Sequence, residues 1–249
     1  MIPTLDANLY TQIGLDSGSL TMLATVVHPM TEPGEYRGVL HSGKEVDAVF
    51  YIKVDRESAM AQADVDLASL TGESSDECKC SSGNHHGPRH FTVNPKGYVV
   101  FHVSKGGGGY FVVVEKADEN SKAKPFDSRD LKEGDLFAAT ILRPGTYSAT
   151  NLNAKSRGEI VVTYPIVGKF ANPPPNPVRI TSGRDTHEPK RVMVQPGQGI
   201  IFEPKAPSRF KIELLKADDG PGQSSIPVRD GWRKPPVVKS PTQRRVKSK

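Results

Sequence analysis

Cysteine is nearly absent: the chain has two in 249 residues, and they stand close together. That count excludes a disulfide framework. At Cys-x-Cys spacing a mutual disulfide would also be strained, so two reduced thiols are expected. No apolar run approaches the roughly 20 residues that cross a bilayer. The opening MIPTLDANLYTQ lacks a charged segment followed by an apolar one, so no export signal is read. The expectation from these absences is a cytoplasmic chain with no membrane partner. Catalytic signatures are missing too. There is no Gly-x-Ser-x-Gly elbow and no His-Glu-x-x-His helix, and Lys105-GGGG lacks the spacing of a phosphate-binding loop. No catalytic residue is assigned, and a non-enzyme is favoured.

Turn formers are plentiful. Gly and Pro total 44 residues, and they separate short runs rich in Val, Ile, Tyr and Phe. Such punctuation predicts an all-β protein. The first half offers strands at Thr21–Val27, Tyr36–His41, Ala48–Val54, Tyr98–Val103 and Tyr110–Val114. The last two flank the glycine run and read as a hairpin. Tyr36–His41 and Ala48–Val54 read as another. In Asp55–Leu70 the residues Met60, Ala63, Leu67 and Leu70 fall on one helical face, which predicts one short helix at about 55–70; Val65–Leu67 also alternates like a strand. The second half offers seven strands: Phe137–Leu142, Gly145–Thr150, Glu159–Tyr164, Val178–Thr181, Arg191–Val194, Gly199–Phe202 and Arg209–Leu215. The expected organisation is two sandwich-like β domains, 1–118 and 119–228, and a disordered basic tail, 229–249.

Within the second half, Leu142-RPGTYSATN resembles the turn-and-tyrosine strand of cupredoxin-type sandwiches. Val192-MVQPGQGIIFE is similar to a strand pair of that family. The resemblance implies a β-sandwich of about 100 residues. It does not carry over a copper centre, because this half has no Cys and its one histidine is His187.

The densest set of metal-capable groups is Cys78, Cys80, His85, His86 and His90, five possible ligands within a loop spanning 71–90. Thiolate and imidazole suit Zn²⁺, and thiolate suits Cu(I), so zinc or copper is the cofactor this loop would take. The spacing matches no standard zinc motif, and a polar surface loop is the plainer reading. His28, His41, His102 and His187 read as structural histidines with satisfied rings.

Charge is local. From Asp230 onward there are seven basic residues and one acid, so this segment carries +6 of the net +5 and the remaining chain about −1. Arg233, Lys234, Lys239, Arg244, Arg245, Lys247 and Lys249 could engage an acidic protein or nucleic acid without base specificity. Three functions follow in order of preference. The first is a non-catalytic binding or structural assembly protein that forms homo-oligomers through β-sandwich surfaces. The second is a zinc- or copper-binding protein or metalloenzyme built on Cys78–His90. The third is a polyanion-binding accessory protein acting through the tail.

Overall fold

The computed structural model describes residues 8–71, 88–118, 123–164 and 175–218. After one helical turn, α1 (Asn8–Thr11), the regular structure of the described residues is almost entirely strand. The first half runs β1 (Gly14–Asp16), β2 (Ala24–Met30), β3 (Gly34–Ser42), β4 (Glu45–Val54), β5 (Gln62–Asp66), the turn α2 (Leu67–Leu70), β6 (Arg89–Val93), β7 (Gly97–His102) and β8 (Tyr110–Lys116). The second runs β9 (Phe126–Asp127), β10 (Leu136–Thr140), β11 (Gly145–Asn151), β12 (Arg157–Val162), β13 (Val178–Ser182), β14 (His187–Glu188), β15 (Arg191–Val194), β16 (Gly199–Pro204) and β17 (Phe210–Ala217).

These halves are one motif used twice. In the first, β2 pairs β7 antiparallel, β5 joins β7 in parallel, β3 pairs both β4 and β8, and β6 joins β4 in parallel. The second repeats each pairing with β10, β16, β13, β11, β12, β17 and β15. Local contacts repeat as well. The Tyr36 hydroxyl donates to the Glu32 carbonyl at 2.8 Å, and the Tyr147 hydroxyl to the Arg143 carbonyl at 2.8 Å. The glycines opening these strands, Gly34 and Gly145, share an unusual φ of 149° and 152°. That region is open to glycine and strained for other residues, which explains why Pro-Gly precedes each tyrosine by two residues.

The repeats interlock. β1 leaves the first repeat to pair with β17, and β9 leaves the second to pair with β8. Strands β2 and β10 pair antiparallel and fuse the inner sheets into one of seven strands, in the order β14-β13-β16-β10-β2-β7-β5. Val26 and Phe137 are equivalent residues, and they face each other across this seam. A pseudo-two-fold axis therefore passes through that pair, as antiparallel pairing permits. Two five-stranded sheets, β1-β17-β11-β12-β15 and β6-β4-β3-β8-β9, cover the same face of the large sheet. Inward residues of all three make one continuous core, with Phe50, Phe101, Phe126, Phe137, Phe202 and Phe210 at its centre.

The all-β sandwich class holds, and three expectations are corrected. First, the division at 118/119 does not separate two cores. Residues 1–218 form one compact unit because the seven-stranded sheet crosses that boundary. Second, the helix at about 55–70 shrinks to Leu67–Leu70. Gln62–Asp66 is an edge strand that buries Ala63 and Val65, while Met60 is 58% exposed. Helical periodicity lost to the alternation of Gln62–Asp66. Third, the glycine run does not close a hairpin. β7 and β8 belong to different sheets, and Gly108 (φ 66°) lies tight against the Leu20 backbone as the chain crosses over.

Candidate functional site

The outer face of the seven-stranded sheet is the broadest surface the fold builds. Alternation along each strand sends one set of residues to the core and the other set outward. The outward set at the middle is apolar: Val27 and Leu136 face each other across the seam, flanked by Val100, Ala138 and Ile201. These side chains are half-buried, none belongs to the core, and Tyr98 beside them is 41% exposed. The margins are charged. On the β5 side stand Asp64 and Asp66; on the β13 side Arg179 is paired to Glu203, with Glu188 beside them.

Asp66 is the best-anchored of these groups. Its carboxylate accepts the Ser104 hydroxyl at 2.7 Å, the Ser104 amide at 3.0 Å and the Ala68 amide at 3.2 Å, capping α2. Burial alone would raise its pKa, but the Ser104 bonds outweigh it and hold Asp66 below the usual carboxylate value. On the core side of the seam, His28 Nδ1 meets Asp135 Oδ1 at 2.6 Å, and the Lys132 amide donates to the other carboxylate oxygen at 2.7 Å. Their equivalents, Ala24 and Ala139, form an apolar pair, so this polar link occurs at one end of the seam only.

Of the residues expected to bind metal, Cys78, Cys80, His85 and His86 lie outside the described residues. His90 sits on the edge strand β6, exposed, with its ring stacked on Tyr51 at 5.2 Å. Among the described residues no group of three or more His, Cys, Asp or Glu is placed to hold a metal ion. Arg233, Lys234, Lys239, Arg244, Arg245, Lys247 and Lys249 also lie outside the described residues. No described helix is long and apolar enough to cross a membrane.

One reading of the histidines is overturned. His187 is 1% exposed, and neither ring nitrogen has a hydrogen-bond partner. Sequence reading treated it as a satisfied turn residue because nothing local marks a buried ring. The duplication was also missed, although it leaves a trace: Leu15-Asp16-Ser17 and Leu20 recur as Phe126-Asp127-Ser128 and Leu131, and Pro33-Gly34 with Tyr36 recurs as Pro144-Gly145 with Tyr147, all 111 positions on. No family model, curated protein or solved structure matches this chain.

Proposed function

We propose that this chain is a non-catalytic structural assembly protein that self-associates through the outer face of its seven-stranded sheet. The observation that carries the reading is the layout of that face, a half-buried apolar centre lying on the pseudo-two-fold seam. A second copy laid face to face, turned about a two-fold axis parallel to the strands, covers the Val27, Leu136 and Ile201 centre of each copy with that of the other. Such an interface is isologous, using the same patch on both copies, as closed two-fold dimers require. The apolar centre supplies the desolvation, and polar residues at the margins form the rim. The exposed strand edges at β6 and β15 carry Arg89 and Arg191, which discourages indiscriminate edge pairing.

Mass measurement of the full chain in solution tests this. A dimer is expected at micromolar concentration. Leu136→Glu with Val27→Lys should give a monomer whose circular dichroism spectrum is unchanged, because both side chains lie outside the core. A monomeric unmodified chain, or a dimer that survives this double substitution, would refute the reading.

A further inference from the structure

The two repeats pack equivalent positions with different residues, and the difference is concentrated at one end of the second. In the first repeat Leu40 faces Ala48 across β3 and β4, Leu67 follows β5, and Tyr110 bridges to Leu20. The corresponding residues in the second are Asn151, Ser156, Ser182 and Ser208. All four are completely buried. Phe50, the aromatic plug of the first repeat, corresponds to Gly158, and the His187 ring fills the vacated space: a Cβ on Gly158 would lie 3.2 Å from His187 Cδ2. His187 packs between Phe202 and Phe210, with ring centroids at 5.9 and 6.2 Å.

An apolar solution is available to this fold, since the first repeat uses it. A buried polar end is therefore not imposed by the topology. Part of it is satisfied internally. Asn151 Nδ2 donates to Ser208 Oγ at 2.8 Å, Ser208 donates to the Ala206 carbonyl at 2.7 Å, and Asn151 Oδ1 accepts the Arg209 amide at 3.0 Å. The deeper part is satisfied less well. Ser156 and Ser182 stand 3.4 Å apart, long for paired hydroxyls. His187 pairs in register with Ser182 and leaves both ring nitrogens orphaned. Burial pulls the His187 pKa below the ordinary imidazole value, outweighing the opposing pull of the Ala149 backbone, so the ring is neutral near pH 7. Orphaned buried polar groups are uncommon and call for a ligand, an ion or a water.

A way in lies alongside. Three turns, β11–β12, β13–β14 and β16–β17, border an open depression of about 500 Å³ lined in part by Asn153, Lys155, Arg184 and Asp185. Arg184 is two residues from Ser182, Lys155 adjoins Ser156, and Asp185 is two residues from His187. Some surface cations of this unit meet a carboxylate, as Arg129 meets Asp127 and Arg191 meets Glu159. The Lys155 and Arg184 side chains form no ion pair among the described residues. Lys155 N–H donates to the Arg184 carbonyl at 3.0 Å and Lys205 N–H to the Ser182 carbonyl at 2.8 Å, while Gly183 N–H closes the β13–β14 turn on the Thr186 carbonyl at 3.0 Å.

We propose that this end of the second repeat binds a small molecule bearing an oxyanion, a phosphoryl or sulfuryl group, between Lys155 and Arg184, with His187 and Ser182 donating from beneath once the turn carrying Arg184 shifts outward. The cations supply charge at the mouth, and the buried His187 ring gains an acceptor. The volume exceeds that of a bare phosphate several times over, which favours a phosphate or sulfate ester over the free ion.

Calorimetric titration of the full chain tests this with inorganic phosphate, inorganic sulfate and glucose 6-phosphate. Histidine-ring NMR signals are followed in parallel. Saturable binding is expected, tightest for the ester, with the His187 ring signal shifting as the site fills. Arg184→Gln should weaken binding about tenfold or more, the worth of one charge-assisted contact. His187→Phe, which installs the aromatic used by the first repeat, should also weaken it while leaving the melting temperature equal or higher. Removing residues 230–249 should leave the affinity unchanged, which separates this site from the basic tail. An unmoved His187 signal, retention of binding in Arg184→Gln, or loss on removal of the tail would each overturn the proposal. The ring signal needs no substitution, so it decides the case even where a variant folds poorly.

Discussion

Glycine and phenylalanine trade places between the two repeats. Gly38 faces Phe50 across β3 and β4, and a Cβ on Gly38 would come within 2.1 Å of the Phe50 ring. In the second repeat the same pair is Ala149 and Gly158, with the space filled from β14 by His187. Each site thus holds one large ring and at least one glycine, reached by different routes. The ring cannot yield cheaply, because Phe50 is completely buried among Phe91 and Phe101. Gly38→Ala should therefore destabilise by overpacking, by about 1–3 kcal/mol. For a unit of this size that is a fall of roughly 2–12 °C in melting temperature. Phe50→Leu in the Gly38→Ala background should recover part of the loss, since the smaller side chain removes the clash. Differential scanning calorimetry of the two variants checks this, and an unaltered melting temperature in Gly38→Ala would mean the backbone shifts freely at that pair.

At the scale of elements, the exchanged strands β1 and β9 hold the repeats together by matched bonds. Ser17 receives the Phe210 amide on its hydroxyl at 3.2 Å and donates its own amide to the Phe210 carbonyl at 2.9 Å. Ser128 does the same with Val112, at 3.1 and 3.0 Å. Both serines are completely buried. Replacing either by Ala orphans a buried amide, at about 1–3 kcal/mol. The two losses should be similar and should add, because the sites share no partner. Urea melts of Ser17→Ala, Ser128→Ala and the double variant measure this; a full loss at one serine beside none at the other would break the equivalence of the repeats. The strands themselves were legible in the sequence. Every predicted strand of the second half is present within a few residues, because turns such as Arg143-Pro-Gly-Thr and Gln195-Pro-Gly-Gln mark their ends. What was not legible is which strands pair. Tyr98–Val103 and Tyr110–Val114 sit in different sheets, and nothing within either segment encodes that choice. The interaction face was hidden for the same reason, since Val27, Leu136 and Ile201 become neighbours only through sheet order. His187 was invisible as a site residue because its surroundings come from four strands distant in the chain.

For the unit as a whole, the pseudo-two-fold axis explains why a sequence with two sandwich-like halves folds as one body. The first repeat lacks a covering strand for β8 until β9 supplies it, and the second lacks one for β17 until β1 supplies it. The seam adds the Val26–Phe137 pair, both fully buried, and the His28–Asp135 contact beyond it. Separating the halves would expose β2 and β10 as long, flat apolar edges, which invite aggregation. Residues 1–118 and 123–249 produced alone should therefore be poorly soluble or lack a cooperative melt. Produced together they should co-purify as a one-to-one complex with the spectrum of the intact chain, because every exchanged contact can form without a covalent link. The complex should melt below the intact chain and depend on concentration, since severing the link makes association bimolecular. If residues 123–249 gave a sharp, reversible melt by themselves, the exchange of β1 would be an accessory contact, and the second repeat would be a domain in its own right.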